Sequence, residues 1–348
     1  MLLPDHSVGV ILGYSRKAAT VVRRTYFEAV AHQVGGGRLF RRWRKRLYFV
    51  WVAIRNRRSC RDWYHFLDSA PVQPFLSIYP ALSLKPLKPY LSLSLDISER
   101  TRVIQDSLLL LATHWESFQH IIGGQNPAIA TIDLGPDGMT SLCLEYNRQK
   151  EGELSLLLRM TDGRVAAMSS FAFDRRPDGK YVMRIGRIQG VKDHELLRSL
   201  EKAMHGLRPK SLMLFASQEL AHTFDIQEIF GVSNANQVYK KKVLIPIPGL
   251  RKLSFDYDGF WREAGGTPDA DGWFRLPQSL VKRTISEIKP NKRSMYNKRY
   301  AMLDNISNQI RSSGARKSQQ GLAIADNNSI IADPHLQAKI TDGIATTA

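Results

Sequence analysis

The sequence predicts an α+β fold, because a series of strand-like segments is followed along the chain by helical segments and a further short strand. Five strand-like segments lie between residues 127 and 189, and they read PAIATIDL, TSLCLEY, ELSLLLRM, RVAAMSSFAF and KYVMRIGRIQ. Their connections pair an Asp with a Gly at Asp137-Gly138, Asp162-Gly163 and Asp178-Gly179, a pairing typical of tight hairpin turns. We therefore expect an antiparallel meander within a central antiparallel or mixed sheet.

A helix is expected immediately before this meander. Asp96 or Ser98 can cap its N-terminus, and Gly123-Gly124 is expected to end it. Apolar residues recur along one stripe of this segment at Ile104, Leu108, Leu111, Trp115, Phe118 and Ile122.

Two helical segments follow the meander, KDHELLRSLEKAMHG and PKSLMLFASQELAHTF, and they lead into a short buried strand, IQEIFGVS. Beyond it lie an aromatic segment, DYDGFWREAGG, and a basic helical segment from Pro290 to about Ser312. If DYDGF is a strand, Asp256 and Asp258 share one of its sides. The polar segment 313–348 has no periodicity, and we expect it to be disordered.

The first 90 residues predict a basic helical region followed by a proline-rich connector. Five prolines between Pro71 and Pro89 exclude long regular elements there. Upstream, an apolar stripe interrupted by arginines is formed by Phe40, Trp43, Leu47, Val50, Trp51 and Ile54. Two interpretations stay open: a helix that lies on a membrane surface, or a helix that packs on the domain with a solvated basic face.

Positive charge is concentrated at the two flanks of a chain whose net charge is +18 over 348 residues. Residues 1–65 contain 14 Lys and Arg against 3 Asp and Glu, and residues 282–317 contain 10 against 2. The stretch between them is nearly neutral, with 25 against 24. This distribution indicates a neutral body tethered to an anionic partner, such as a phospholipid surface, lipopolysaccharide or nucleic acid.

Several classes of protein are disfavoured by the sequence. Cys60 and Cys143 are the two cysteines, without a CxxC motif, which argues against a disulfide framework and a structural zinc site. The longest apolar run, residues 47–54, is far shorter than the roughly 20 residues of a membrane-spanning helix. The first residues lack the basic start of a secretory signal. We therefore expect a cytoplasmic protein, peripheral to the inner membrane if the basic helix binds lipid.

Two local features suggest functional residues. The strand RIGRIQG runs into a helix, and the N–H groups at that helix start, with Arg187, Gly190 and Lys192 nearby, could hold a phosphate; a simple turn is the alternative. His114 lies at the edge of the apolar stripe of its helix, where a general base could face a cleft, or where it serves a structural role.

The segment FASQELAHTFDIQEIFGVSNANQVYKK resembles the last quarter of GNAT-type acyltransferases, and the resemblance extends over residues 127–246. It implies that Asn234, after the strand, and Tyr239 lie beside the thioester of acyl-CoA or an acyl-carrier protein. The glycine-rich pyrophosphate loop of that superfamily is reduced here to Gly190, and two helices stand where one is usual. The alternative is that Asn234 caps or turns the chain and Tyr239 packs in the core.

A longer resemblance, from about residue 91 to 306, is to the VirK/YbjX family of Gram-negative bacteria. It is carried by HWESFQHII, IGRIQG, LRPKSLMLFASQELA, IFGVSNANQVYKKK, DYDGFWREAGG and SMYNKRYAMLDNI. The resemblance implies an α+β domain over residues 91–312 with a GNAT-like core, flanked by basic helices. It also implies a role linked to virulence, the cell envelope and resistance to cationic antimicrobial peptides.

Three functions remain as hypotheses. The first is an envelope-associated acyltransferase acting from the cytoplasm on a lipid or protein, with Asn234 and Tyr239 orienting the thioester and His114 as base. The second is a non-enzymatic, membrane-peripheral adaptor with a degenerate acyltransferase fold. The third is a nucleic-acid-binding protein. A splayed gap between the RIGRIQG and IFGVS strands favours the first, and a gap filled by side chains favours the second.

Overall fold

The computed structural model describes residues 48–49, 51–52, 54–114, 121, 124–135, 138–239, 255–269 and 271–325, with side chains described as far as residue 313. Several predictions concern residues outside this set. They are the stripe positions Phe40, Trp43, Leu47 and Val50, the helix positions Trp115, Phe118 and Ile122, and the tail 326–348.

Within the described residues the fold is α+β and contains one eight-stranded open sheet with the order β1-β2-β3-β4-β5-β6-β8-β7. The pairs of neighbouring strands are antiparallel except β5 and β6, which are parallel. The strands are β1 (Ala128–Asp133), β2 (Met139–Tyr146), β3 (Leu154–Met160), β4 (Val165–Arg175), β5 (Tyr181–Gly190), β6 (Glu228–Val232), β7 (Thr267–Pro268) and β8 (Trp273–Leu276).

The predicted meander is confirmed as β1 to β5. Gly138, Gly163 and Gly179 have φ angles of 81°, 83° and 84°, the left-handed conformation that a glycine adopts without steric cost. In Asp162-Gly163 and Asp178-Gly179 the aspartate keeps a negative φ, so the glycine alone takes this conformation.

Helices cover this sheet and close its edge. They are α1 (Arg57–Leu67), α2 (Gln73–Ile78), α3 (Ile97–Thr113), α4 (His194–Ala203), α5 (Pro209–Thr223), α6 (Tyr257–Glu263) and α7 (Arg293–Ala325). Helix α3 packs on β4, and α5 packs across β3, β4 and β5. Asp96 caps α3 in a reciprocal capping box with Glu99, as the sequence predicts.

Helix α7 is longer than the pattern predicts and continues past Ser312 to Ala325. Ala, Arg, Lys, Gln and Leu in this stretch are strong helix formers, and they continue the helix through Gly314 and Gly321. Helix α7 packs on α5 and β1 and buries Leu303, Ile306 and Ile310. The Gln309 amide pairs with the backbone of Thr131 on the edge strand, at 2.9 Å to its N and 3.0 Å to its O. The helix is thus part of the domain and covers a strand edge that would otherwise be open.

The proline-rich segment is not a connector between separate units, which corrects our expectation. It folds into α2 and a 3₁₀ turn (Pro80–Leu84), and Phe75, Leu76 and Leu82 join the main hydrophobic core. The prolines keep the elements short, while the leucines between them supply apolar surface that the sheet and α3 bury. Residues 57–95 therefore belong to the same folded body as the sheet.

Candidate functional site

The parallel strands β5 and β6 separate beyond the pair Ile185–Gly231, because β5 continues to Gly190 while the chain turns away after β6. Gln237 fills the space that opens, and its Nε2 donates to the Gly186 carbonyl at 2.9 Å. A Cβ atom at Gly186 would lie 2.3 Å from the carbonyl oxygen of Glu151, so only glycine permits this close approach. The gap between the two strands is therefore filled by a side chain and closed over by the segment that carries Glu151.

Two buried glutamates, Glu151 and Glu153, lie just before β3. Glu153 is fully satisfied: its carboxylate accepts hydrogen bonds from Tyr90 at 2.8 Å and Tyr146 at 2.9 Å, and it forms a 2.8 Å ion pair with Lys85. Lys85 also donates to the carbonyl oxygens of Asn147 and Gly152, at 3.0 Å and 3.1 Å. We call Lys85, Tyr90, Tyr146 and Glu153 the satisfied cluster.

The pKa shifts in the satisfied cluster follow from burial and from the pairing with Glu153. Burial lowers the pKa of the Lys85 ammonium group, and the neighbouring Glu153 carboxylate opposes that shift. Burial raises the pKa of both Tyr90 and Tyr146 well above the usual value, and the Glu153 carboxylate raises it further. The two phenols therefore stay protonated and act as hydrogen-bond donors, and the cluster fastens residues 85–90 to strands β2 and β3.

Glu151 differs completely in its contacts. Its side chain is fully buried, yet within the described part of the chain neither carboxylate oxygen has a hydrogen-bond donor in bonding geometry. The Oε1 atom of Gln237, beside it in the strand gap, also accepts from no described donor. Buried polar groups are nearly always paired, at a cost of about 1–3 kcal/mol when they are not, so these acceptors distinguish Glu151 and Gln237 from the satisfied cluster.

Tyr239 lies next to Glu151 and is partly exposed to solvent. Burial raises the pKa of the Tyr239 phenol, the Glu151 carboxylate beside the hydroxyl raises it further as a hydrogen-bond acceptor and as a negative charge, and Arg187 opposes the shift. The Lys150 ammonium group lies 4.0 Å from the centre of the Tyr239 ring, and the Arg187 guanidinium lies 5.9 Å from it. The phenol is therefore neutral at physiological pH and is flanked by two cations.

A cavity of about 350 Å³ lies on the face of the sheet, near Tyr239. Gln149 and Arg187 line it and both approach Tyr239, whose hydroxyl lies 3.5 Å from Gln149 Oε1. Ser155 and Ser170 form its floor with their hydroxyl oxygens 2.8 Å apart. The volume is in the range of small-molecule sites, and the lining is polar. We call the cavity, together with Glu151, Gln237 and Tyr239, the open centre.

Of the predicted residues, Arg187 and Tyr239 belong to the open centre, whereas Asn234 holds a turn. The Asn234 backbone N–H donates to Asp258 Oδ1 at 2.6 Å, its Nδ2 donates to Asp256 Oδ1 at 2.6 Å, and its Oδ1 accepts from the Tyr257 N–H at 2.9 Å. These contacts match the alternative in which Asn234 organises the chain. Asp256 and Asp258 lie at the start of helix α6 and not on a strand, because Asp256 caps that helix through the Gly259 N–H.

The other predicted residues lie outside the open centre. His114 ends helix α3, with its ring 5.5 Å from that of Phe224 in an edge-on contact and its Nδ1 3.0 Å from the Leu110 carbonyl oxygen. Gly190 and Lys192 precede α4, where the Asp193 carboxylate already accepts the N–H groups of Glu195 and Leu196. A phosphate at that helix start would have to displace this carboxylate.

Sequence reasoning missed Lys85, Glu151, Glu153 and Gln237. One signal was available: Lys85 stands in the apolar, proline-rich run PALSLKPLKPY, and the two glutamates directly precede a strand in the letters EGEL. A charged residue in an apolar run indicates burial with a partner.

Known proteins match most of this chain. A family described as "Protein of unknown function (DUF535)" matches residues 38–312. The chain is 29% identical over 257 residues to "Uncharacterized protein YbjX" of Escherichia coli (strain K12), covering 72% of this chain and 77% of that protein. It is 28% identical over 212 residues to an uncharacterized protein of Haemophilus influenzae, covering 60% of this chain and 69% of that one.

The family match begins at residue 38. It therefore includes the basic segment upstream of residues 91–306, the range over which the sequence motifs resemble the VirK/YbjX family. Among the described residues, no helix combines the length and the apolar character that crossing a bilayer requires.

Proposed function

The chain belongs to the DUF535 family, which includes the VirK/YbjX proteins, and we propose that its domain binds a small polar ligand in the open centre. The observation that carries the proposal is the buried Glu151 carboxylate, whose two oxygens accept no hydrogen bond in bonding geometry from the described residues. A fold that satisfies Glu153 with three side chains leaves Glu151, two residues away, as an acceptor. A ligand that brings hydrogen-bond donors removes this cost.

The chemistry of the centre defines the ligand further. Glu151 and Gln237 both present acceptors, so the ligand contributes donors such as an amine or hydroxyl groups. The neutral Tyr239 phenol can donate to it, and Arg187 at the cavity wall attracts a negative group. A molecule with donors at one end and an anionic group at the other fits both requirements.

Mass spectrometry of molecules retained by the purified protein tests this proposal. We expect wild type to retain a small polar compound and Glu151→Gln to lose it while remaining folded. The matched control is Glu195→Gln, which changes an exposed glutamate on α4 in the same way and should retain the compound. If wild type and Glu151→Gln retain the same compounds to the same extent, Glu151 does not bind the ligand.

A second candidate function, acyl transfer to that ligand, is favoured by the juxtaposition of Glu151 with the neutral phenol of Tyr239. Glu151 would accept the proton of the ligand's amine or hydroxyl as its N or O attacks the thioester carbonyl carbon. The C–S bond then breaks, Tyr239 protonates the leaving thiolate, and the proton on Glu151 returns to Tyr239. In this proposal Glu151 takes the role that the sequence suggested for His114.

The thioester donor would be acyl-CoA or an acyl-carrier protein, as the resemblance to GNAT-type acyltransferases implies. Gln237 occupies the strand gap, so the side chain must move for a thioester to enter there. The acceptor would be an envelope lipid or protein, and the chain would act at the cytoplasmic side of the inner membrane, as the VirK/YbjX resemblance implies.

Thermal shift with acyl donors separates the two candidates. A donor present at 100 times its dissociation constant should add about 2.7 kcal/mol to the unfolding free energy. Tyr239→Phe should still bind the donor but lose transfer to an amine acceptor. If no acyl-CoA or acyl-carrier protein shifts the melting curve at millimolar concentration, the protein is a binding adaptor and not an acyltransferase.

A further inference from the structure

The helical segment that precedes α1 has two different faces. Phe49 and Val52 are 7% and 4% exposed, and they pack in a small core with Cys60, Leu84 and Leu87. Tyr48, Trp51 and Ile54 are 50%, 58% and 63% exposed. We call these three residues the aromatic face; their spacing of three places them on one side of a helix, away from the buried pair.

This face is not explained by packing. The sequence stripe assigned Trp51 and Ile54 to one apolar side, and the structure shows that the domain is contacted by Phe49 and Val52 instead. Single exposed apolar residues are ordinary, but three large ones within seven positions form a patch. Tyr and Trp beside an aliphatic residue are the composition found where protein meets the interfacial layer of a bilayer.

The charges around the aromatic face are almost entirely positive. The Arg55 guanidinium lies 5.7 Å from the centre of the Trp51 ring, and Arg57, Arg58 and Arg61 are exposed on the next turns. Residues 48–67 contain a single acidic residue, Asp62. In the sequence, residues 38–46 add six more Lys and Arg. The surface therefore combines apolar area with a positive charge that matches an anionic surface.

We propose that the aromatic face docks this protein on an anionic lipid surface, with Tyr48, Trp51 and Ile54 inserted at the headgroup boundary and the arginines on the lipid phosphates. Nucleic acid would use the arginines but would leave Ile54 in water. A second copy of the chain would bring two strongly positive surfaces together. Lipid is the partner that uses both the apolar and the cationic part.

Vesicle flotation of the full chain tests this proposal. The protein should float with vesicles of equal parts phosphatidylcholine and phosphatidylglycerol, stay behind with pure phosphatidylcholine, and dissociate as salt is raised. Trp51→Ser combined with Ile54→Ser should reduce the bound fraction about tenfold with an unchanged melting temperature. The control, Val281→Ser with Ile285→Ser, removes two residues that are 76% and 67% exposed elsewhere and should float like wild type.

Four results would overturn the proposal. Unchanged flotation of the Trp51 and Ile54 variant would show that charge alone binds the vesicle. A lower melting temperature would show that the face is part of the core. A dimer in solution that the same variant abolishes would show that the face binds a second copy. Retention of wild type on duplex DNA and not on vesicles would identify nucleic acid as the partner.

Discussion

Glu153 and Glu151 are separated by one glycine and are equally buried, but their surroundings are opposite. Glu153 has a lysine and two tyrosines within 2.9 Å, whereas Glu151, beside the Tyr239 hydroxyl, accepts no hydrogen bond in bonding geometry from the described residues. The partners of Glu153 connect residues 85–90 to β2 and β3, so the satisfied cluster has a structural role in the fold. Glu151 has no such structural explanation, and Arg187, beside the Tyr239 ring, lines the cavity of the open centre.

Burial of a charge alone therefore does not identify a functional site. A buried charge whose partners all come from the protein fastens distant segments together, as Lys85 fastens residues 85–90 to β2 and β3. A buried charge that accepts no hydrogen bond from the described residues is, at Glu151, the basis of the ligand site that we propose. The two types of carboxylate should therefore respond in opposite ways to substitution.

Lys85→Met should have the largest effect on stability. It removes the cation from the satisfied cluster and leaves the Glu153 carboxylate buried without its counterion, so the unfolding free energy should fall by about 3–5 kcal/mol in urea denaturation. The double variant Lys85→Met with Glu153→Leu should recover much of the loss, because no buried charge remains. Lys180→Met, at an exposed lysine, is the control and should change little. An equal loss in the single and double variants would refute the pairing.

Asp106 is a partly buried carboxylate with fewer partners than Glu153, and its contribution to the unfolding free energy depends on pH. Burial raises the pKa of Asp106 to about 6, only partly offset by the Arg175 N–H that it accepts at 2.9 Å. A raised pKa means that the folded state binds this proton more tightly than the unfolded state, so stability from this group is present below pH 4 and is lost as pH rises through 6.

Asp106→Asn should therefore be more stable than wild type by about 1–2 kcal/mol at pH 8 and equal to it at pH 4, because the amide keeps the acceptor and removes the ionisation. Urea unfolding of both proteins at the two pH values measures the difference. A difference that is the same at pH 4 and pH 8 would mean that Asp106 does not ionise in this range.

Tyr239→Phe should have the smallest effect on stability. The ring is 44% exposed, and its contact with the Lys150 ammonium group does not need the hydroxyl. We expect a change below about 0.5 kcal/mol in the unfolding free energy, and about tenfold weaker ligand retention through the lost hydrogen bond. A large loss of stability would place Tyr239 with the satisfied cluster and not with the open centre.

Much of the fold was predictable, because its signals are local. The Asp-Gly turns fixed the hairpins of the meander, Asp96 and Glu99 fixed the start of α3, and Pro209 occupies the first turn of α5. The segment DYDGF was not predictable in this way. It forms helix α6 because Trp261 packs on Gly231 and its Nε1 donates to the Val232 carbonyl at 2.8 Å, a long-range contact that no local pattern shows.

The candidate site was predictable only in part, for the same reason. The sequence favours Arg187 through a strand–glycine–helix junction and Tyr239 through its position after the IFGVS strand, and both residues lie at the open centre. Glu151 could not, because what distinguishes it from Glu153 is the location of Lys85 and Tyr90, more than 60 residues away in the sequence. The sequence favours His114 and Asn234 as site residues, but hydrogen bonds within the fold, which no local pattern predicts, engage both side chains.

The unfolding free energies of Glu151→Gln and Glu153→Gln, measured side by side without ligand, test most directly whether the two glutamates have different roles. Glu153→Gln should lose about 3 kcal/mol, because Lys85 is left as an unpaired buried charge. Glu151→Gln should match wild type or exceed it by about 1–2 kcal/mol, because a buried carboxylate without donors becomes a neutral amide. Equal losses in the two variants would contradict the distinction between a structural cluster and a ligand site.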